Sequence, residues 1–227
     1  MPTAQQAAAF REVLAALTGQ AVDDLAAVWA DWPWDDAAAV TALLLQVAPD
    51  VTLTYADIAA ALAADQYDEW RDQAGVRGRF TASPGELASL DQLEAGVRNA
   101  VGPLWSAAPD VEAARSLLAG SVTRHVMNGS SETMVANTLR DPTAVGWERH
   151  VRPGACGFCR MLAGRGGVYR GDRVKFKSHD HCHCVVAPSW DPEAEEPTAV
   201  AFVASKRRQT PADRERVRAW LKANDLT

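Results

Sequence analysis

The chain is sparing with soft ligands. Its 227 residues include four Cys and five His. It also lacks an excess of positive charge: 23 Lys and Arg stand against 29 Asp and Glu, a net charge of −6. A chain with that balance, and a pI of about 5.4, is not built as a whole to coat nucleic acid or an anionic membrane. No glycine-rich phosphate loop is present. The opening, MPTAQQAAAFREVLAAL, lacks the basic start and apolar run of a signal peptide, so synthesis and residence in the cytoplasm are expected. Long apolar runs are missing too. The most apolar stretch, Ala37 to Ala48, is about a dozen residues; it predicts a buried helix and no membrane association.

What is there is an ordinary globular composition, 48% hydrophobic and 23% charged, in a chain long enough for one large domain or two small ones. The first 145 residues read as helix. Apolar residues recur at three- and four-residue steps, as in Phe10, Val13, Leu14 and Leu17, then Val22, Leu25, Val28 and Trp29. Thr3, Ser83 and Ser131 are candidate N-caps, with Pro84 at a first helical position. Breakers at 32–34, 48–51, 75–80, 101–105, 108–111 and 140–142 predict six or seven helices. Tyr55 to Gly75 should form one amphipathic helix with a glycine end. Abundant Ala favours helix and lets helices approach closely. Asp23-Asp24 and Asp35-Asp36 read as helix-start carboxylates. His125 and the Ser130-Ser131 pair read as a helix ending and its cap rather than as parts of a catalytic triad. Most of the eight Trp read as packing residues, and exposure of Trp32 or Trp34 would indicate a partner surface.

After residue 145 the pattern changes. GWERHVRPG looks extended, ACGFCRMLAGRGG suggests a turn and short helix, and GVYRGDRVKFK alternates like a hairpin around Gly171-Asp172. CVVAPSW reads as a strand and 191–199 as an acidic linker; VAFVASK reads as a strand, and a final helix is capped by Thr210. The predicted organisation is a helical region over 1–145, a Cys/His region with short strands over 146–190, and a linker with a C-terminal helix over 191–227. The fold class is mainly α, followed by a small α+β region stapled by metal.

All four cysteines fall between 156 and 184, as Cys156-x-x-Cys159 and Cys182-x-Cys184, with His179 three residues before Cys182. Two ligands on a tight turn, closed by a second pair from a distant segment, make a tetrahedral site. Thiolate with imidazole selects zinc over calcium or magnesium. Cys156 and Cys159 with two of His179, Cys182 and Cys184 are therefore expected to hold one structural Zn²⁺, and the spacing does not choose among the last three. His181 and His183 alternate with the cysteines; on a strand they would face away from them. Two disulfides would require an oxidising setting, which the missing signal pattern argues against. A redox Cys-x-x-Cys would require a βαβ context that the helical leader does not provide. The string Ser178-His179-Asp180-His181 also superficially resembles that of an HNH-type nuclease, with His181 near a catalytic metal. However, Ser178 replaces the first Asp of that string, and neither a second downstream Cys-x-x-Cys nor a completing Asn or His follows. Between His150 and Cys184, five Arg and two Lys face two Asp, a formal +5 that could meet packaged DNA or simply solvate the region and offset thiolate charge.

Residues 146–190 resemble the C-terminal motif of the MuF-like minor head proteins of tailed phages, in the form found in phages of actinobacteria. The matching positions are Cys156, Cys159, Met161-Leu162-Ala163, Val168-Tyr169 and the string from Phe176 to Cys184. The family's His-x-x-Cys-x-Cys falls on His179, Cys182 and Cys184 and favours His179 over His181 as a ligand. The resemblance implies a structural minor capsid protein acting in head morphogenesis, not an enzyme. It implies a place inside the head near the portal, with the portal protein and major capsid or scaffold proteins as partners. Packaged DNA is a further expected partner through 150–184.

Overall fold

The computed structural model describes residues 1–29, 32–164, 169, 170, 176, 178–194 and 215. The fold is mainly helical with a small two-stranded sheet towards the C-terminus. The expected hairpin turn at Gly171-Asp172, the VAFVASK strand and the helix capped by Thr210 lie outside the described residues.

Helix α1, Ala4–Trp29, starts on a reciprocal cap. Gln6 N–H donates to Thr3 Oγ1 at 3.2 Å and Thr3 N–H donates to Gln6 Oε1 at 2.7 Å. Its buried stripe runs through Ala7, Phe10, Leu14, Ala21 and Leu25. Asp23-Asp24 lies inside this helix, not at a start; Asp24 accepts from the Tyr55 hydroxyl and so joins α1 to the next helix.

Helix α2, Ala37–Gln73, is capped by Asp36, whose Oδ1 accepts from the amides of Ala38 and Ala39. The break expected at 48–51 does not occur, and Pro49 sits inside the helix, buried with Ala48 and Thr52. An interior Pro costs about 3 kcal/mol. Burial of these three residues in the bundle, with the Thr52 hydroxyl bonded to the Ala48 carbonyl at 2.6 Å, outweighs it. The apolar stretch is thus part of a 37-residue helix, with an 18-residue window of mean hydropathy 1.5 that meets membrane-span criteria by length and composition. Here α2 packs against α1 and the later helices, burying Val40, Leu44, Ala59 and Tyr67. Its end is the expected glycine, Gly75, at φ +66°.

An extended strap, 76–89, follows where Ser83-Pro84 was expected to start a helix. Side chains of neighbouring helices replace the missing helical bonds. Ser83 N–H donates to Asn137 Oδ1 at 3.0 Å, and Asn137 Nδ2 donates to the Ser83 carbonyl at 2.8 Å. Ala82 N–H donates to the Asp68 carboxylate. Helix α3, Leu90–Ala100, starts instead at Ser89, in a capping box with Gln92. A 3₁₀ turn, Gly102–Trp105, leads to α4, Val111–Arg140. The described residues up to 145 therefore hold four α-helices and one 3₁₀ turn rather than six or seven helices.

Helix α4 runs unbroken through His125 and Ser130-Ser131, so the predicted ending and the Ser131 cap are wrong. Ser130 and Ser131 are buried. Small side chains there serve close packing: a Cβ on Gly129 would run into the Ala56 carbonyl oxygen of α2. Trp32 and Trp34 are half-buried against the core, with Trp34 edge-on to Trp29 and under Arg115; neither forms the exposed surface that would mark a partner.

Strands β1, Gly146–His150, and β2, Val185–Ser189, pair antiparallel with Gly146 opposite Ser189 and His150 opposite Val185. Trp147 exchanges both its backbone bonds with Tyr169, at 3.0 and 2.7 Å, so Trp147 and Pro188 face each other as a non-hydrogen-bonded pair that asks no N–H of the proline. The short helix α5, Gly157–Ala163, lies between the strands in sequence. β2 is buried at every position and packs on α4 and α1, so Val185 and Val186 share one core with Leu14 and Val122.

One carboxylate ties three segments together. Asp141, just past α4, accepts from Arg71 Nε and Trp190 Nε1 at 2.9 Å, from Tyr67 at 3.2 Å and from the Thr143 hydroxyl at 2.6 Å. Arg71 and Asp141 are 4% and 2% exposed, so this is a buried ion pair with its remaining valences filled. Burial works to raise the Asp141 carboxyl, but the bonds from Thr143, Trp190 and Arg71 outweigh it and hold the pKa down at about 2.

Candidate metal centre

Two local structures deliver the donors. Cys156 is the N-cap of α5, and its sulfur accepts from Cys159 N–H at 3.5 Å. The first helical turn therefore sets the spacing of the Cys-x-x-Cys pair. The second structure is the turn from His179 to Cys182, closed by the bond from Cys182 N–H to the His179 carbonyl at 3.1 Å. Cys184 follows, immediately before β2. The sheet pairs the segments that flank both structures, so its register fixes how closely the donors can meet.

All five predicted ligands converge. His179 Nε2 is 3.0 Å from Cys156 Sγ and 3.3 Å from Cys159 Sγ, and Cys159 Sγ is 3.7 Å from Cys182 Sγ. The donors form two overlapping triads, Cys156-Cys159-His179 and Cys159-Cys182-Cys184, each with its ligand atoms within 4.8 Å of one another. Cys159 belongs to both. The cluster could hold a metal ion. Cys159, Cys182 and Cys184 are buried, and Cys156 is exposed. The imidazole is oriented towards the sulfurs. His179 Nδ1 lies 2.7 Å from the Asp180 carbonyl, so Nδ1 carries the proton and Nε2 turns its lone pair to the cluster.

The electrostatics are those of thiols crowded together. Hydrogen bonds from Cys159 and Cys184 pull the Cys182 thiol down to about 2, and the same bond to Cys182 drives Cys159 strongly upward. Cys184 stays up at about 11: its contact with Cys159 favours the thiolate, but the bond to Cys182 and burial prevail. His179 is raised because its bond to the Asp180 carbonyl and the nearby thiolates overcome burial. One thiolate is stabilised at the expense of its neighbours' protons. A divalent cation in place of those protons would satisfy several thiolates at once.

His181 and His183 are not brought into either triad. Residues 178–184 form a turn and coil rather than a strand, so the alternation expected of them does not apply. His181 takes a left-handed φ of 59° and lies against α4. A cavity of about 200 Å³ lies at the cluster, lined by all five donors together with Arg152, His181 and His183. Of the basic residues of 150–184, Arg152 is exposed, and Arg170 donates to the Ala194 carbonyl at 2.5 Å. Sequence reasoning did not reach the helix behind the turn. Arg124 of α4 pairs with Asp180 at 3.3 Å, and Gly120 faces the turn. No local motif marks either residue, since both belong to a long helix with their own neighbours.

The model of the VG15 protein family matches residues 1–204, which spans the helices, the sheet and the whole Cys/His cluster. No curated protein and no solved structure matches the chain.

Proposed function

The chain belongs to the VG15 protein family, a family of phage proteins made in the host cell during infection, and from that premise we propose that it is a MuF-like minor head protein with one structural zinc. The convergence of five soft donors carries the metal reading. A tetrahedral zinc sets sulfurs about 3.8 Å apart and sulfur from imidazole nitrogen about 3.6 Å apart, from bond lengths of about 2.3 and 2.0–2.1 Å. The Cys159–Cys182 separation of 3.7 Å fits, and the His179 contacts of 3.0 and 3.3 Å need to open by a few tenths of an ångström. Cys156 and Cys159 with two of His179, Cys182 and Cys184 supply the four ligands, and soft sulfur donors select zinc over magnesium or calcium.

The role is structural. The zinc clasp fixes the small sheet on the helical body, and the body offers its helices to the portal protein and to major capsid or scaffold proteins inside the head. Packaged DNA is a further partner in this reading, on the strength of the excess of Arg and Lys in the sequence of 150–184. We read the role as structural rather than enzymatic; what supports this is that His181, the residue a nuclease would need as a metal partner, falls outside both donor triads. Purified virions emptied of DNA should retain the chain at a few copies per particle, and the chain should co-purify with the portal protein. Its absence from virions, or DNA nicking under Mg²⁺ or Mn²⁺ that His181→Ala abolishes, sinks this reading.

A further inference from the structure

The turn that carries His179 and Cys182 rests on the side of α4, and the contact is close. Gly120 is buried in the middle of that helix. A Cβ built on it would lie 2.7 Å from His181 Nε2 and 2.9 Å from Asp180 Cβ. The His181 ring could swing away, but Asp180 Cβ is fixed to the backbone, so the turn itself would have to move. One helical turn on, Arg124 Nε reaches Asp180 Oδ1 at 3.3 Å. Between the two contacts, His181 is the one non-glycine among the described residues with positive φ, at 59°. A left-handed conformation in such a residue persists where the surroundings over-determine it. Gly120 is also a poor choice for a helix interior, where Ala would be better. Its missing side chain is what lets the turn come down onto the helix.

Resting on the reading of the cluster as a metal site, we infer that Gly120 and Arg124 are positioning residues of the metal centre. They set the height and tilt of the 179–182 turn, and so the distance at which His179 and Cys182 meet Cys156 and Cys159. Asp180 and His181 are the feet of that turn on the helix, not ligands. Metal retention is then a property of the helical body as well as of the cysteines, because a ligand displaced by a fraction of an ångström loses coordination geometry.

The test uses the full chain loaded with zinc, or with Co²⁺ as a visible probe. Gly120→Ala should release the ion to a competing chelator at least tenfold more readily and shift the Co²⁺ ligand-field bands, with helix content equal or higher. A merely structural glycine would not move those bands. Gly19→Ala, in α1 with open space around its Cβ, is the control and should match the wild type. Arg124→Gln should weaken retention by a few-fold, and it decides the matter if Gly120→Ala does not fold. Wild-type retention and an unchanged Co²⁺ spectrum in Gly120→Ala, or in Arg124→Gln where that variant decides, overturn the inference while the zinc reading stands. A wild-type chain that takes up no metal overturns the zinc reading itself, and this inference with it.

Discussion

The helical body and the Cys/His clasp are held by different means. The body has length to spare: α2 and α4 run for 37 and 30 residues and bury Ala, Gly and Ser faces against one another. Its polar groups are met locally at helix starts, by Thr3, Asp36, Ser89 and Asp110, and along the strap by Asn137 and Thr133 reaching across from α4. The clasp consists of two five-residue strands and a seven-residue helix. Three of its thiols are buried, with His179 set against them. Close packing of small residues stabilises the first region. The second shares that core through β2 and gathers five soft donors that could hold a metal ion.

Removing the donor common to both triads should separate the two regions most sharply. Cys159→Ser is expected to take bound zinc from about one per chain to near zero. The lost stabilisation is on the order of 10 kcal/mol in small zinc domains. Proteolysis should then cut within 146–190 while far-UV helix signal persists; an uncut clasp, or loss of the whole helical signal, contradicts the division into body and clasp.

Asp141→Asn acts where the regions meet, because Arg71 of α2 and Trp190 beyond β2 share that carboxylate. Breaking a buried pair by removing one partner costs about 3–5 kcal/mol, read as a lower denaturant midpoint. The folded carboxyl sits at about 2 against an ordinary 3.8, so its contribution is present above about pH 4 and is lost as pH falls through 2. The wild type should therefore lose midpoint between pH 4 and 2 more steeply than Asp141→Asn. Parallel slopes would mean the ion pair contributes nothing to the difference.

The smallest expected effect lies wholly in the body. Gly129→Ala forces a Cβ against the Ala56 carbonyl and should cost about 1–3 kcal/mol of overpacking, despite the better helix propensity of Ala. Zinc content should be unchanged, since Gly129 contacts α2 and not the clasp. Loss of zinc in this variant would show that the body cannot be altered anywhere without disturbing the site.

The site was more legible in the sequence than the helices were. Cys156, Cys159, His179, Cys182 and Cys184 stand out because soft ligands are rare elsewhere in the chain, and all five come together. The strands were legible as well, from GWERH and VVAPS. Helix boundaries failed where tertiary contact overrides local preference. Pro49 reads as a breaker, yet its burial with Ala48 and Thr52 keeps α2 continuous. Ser83-Pro84 reads as a helix start, but Asn137 and Thr133, about fifty residues on, satisfy that backbone in extended form. Ser131 reads as a cap and is an interior contact residue. Gly120 shows the same limit: its meaning lies in a turn 60 residues later.

Vectorial synthesis gives the Asp141 junction another consequence. Tyr67 and Arg71 leave the ribosome well before Asp141, and Trp190 leaves well after it. A nascent chain that stops short of residue 190 carries a carboxylate placed for burial but missing its indole donor, with β2 not yet available to cover α1 and α4. Trp190 and β2 are thus the last pieces to reach a junction that Tyr67 and Arg71 begin.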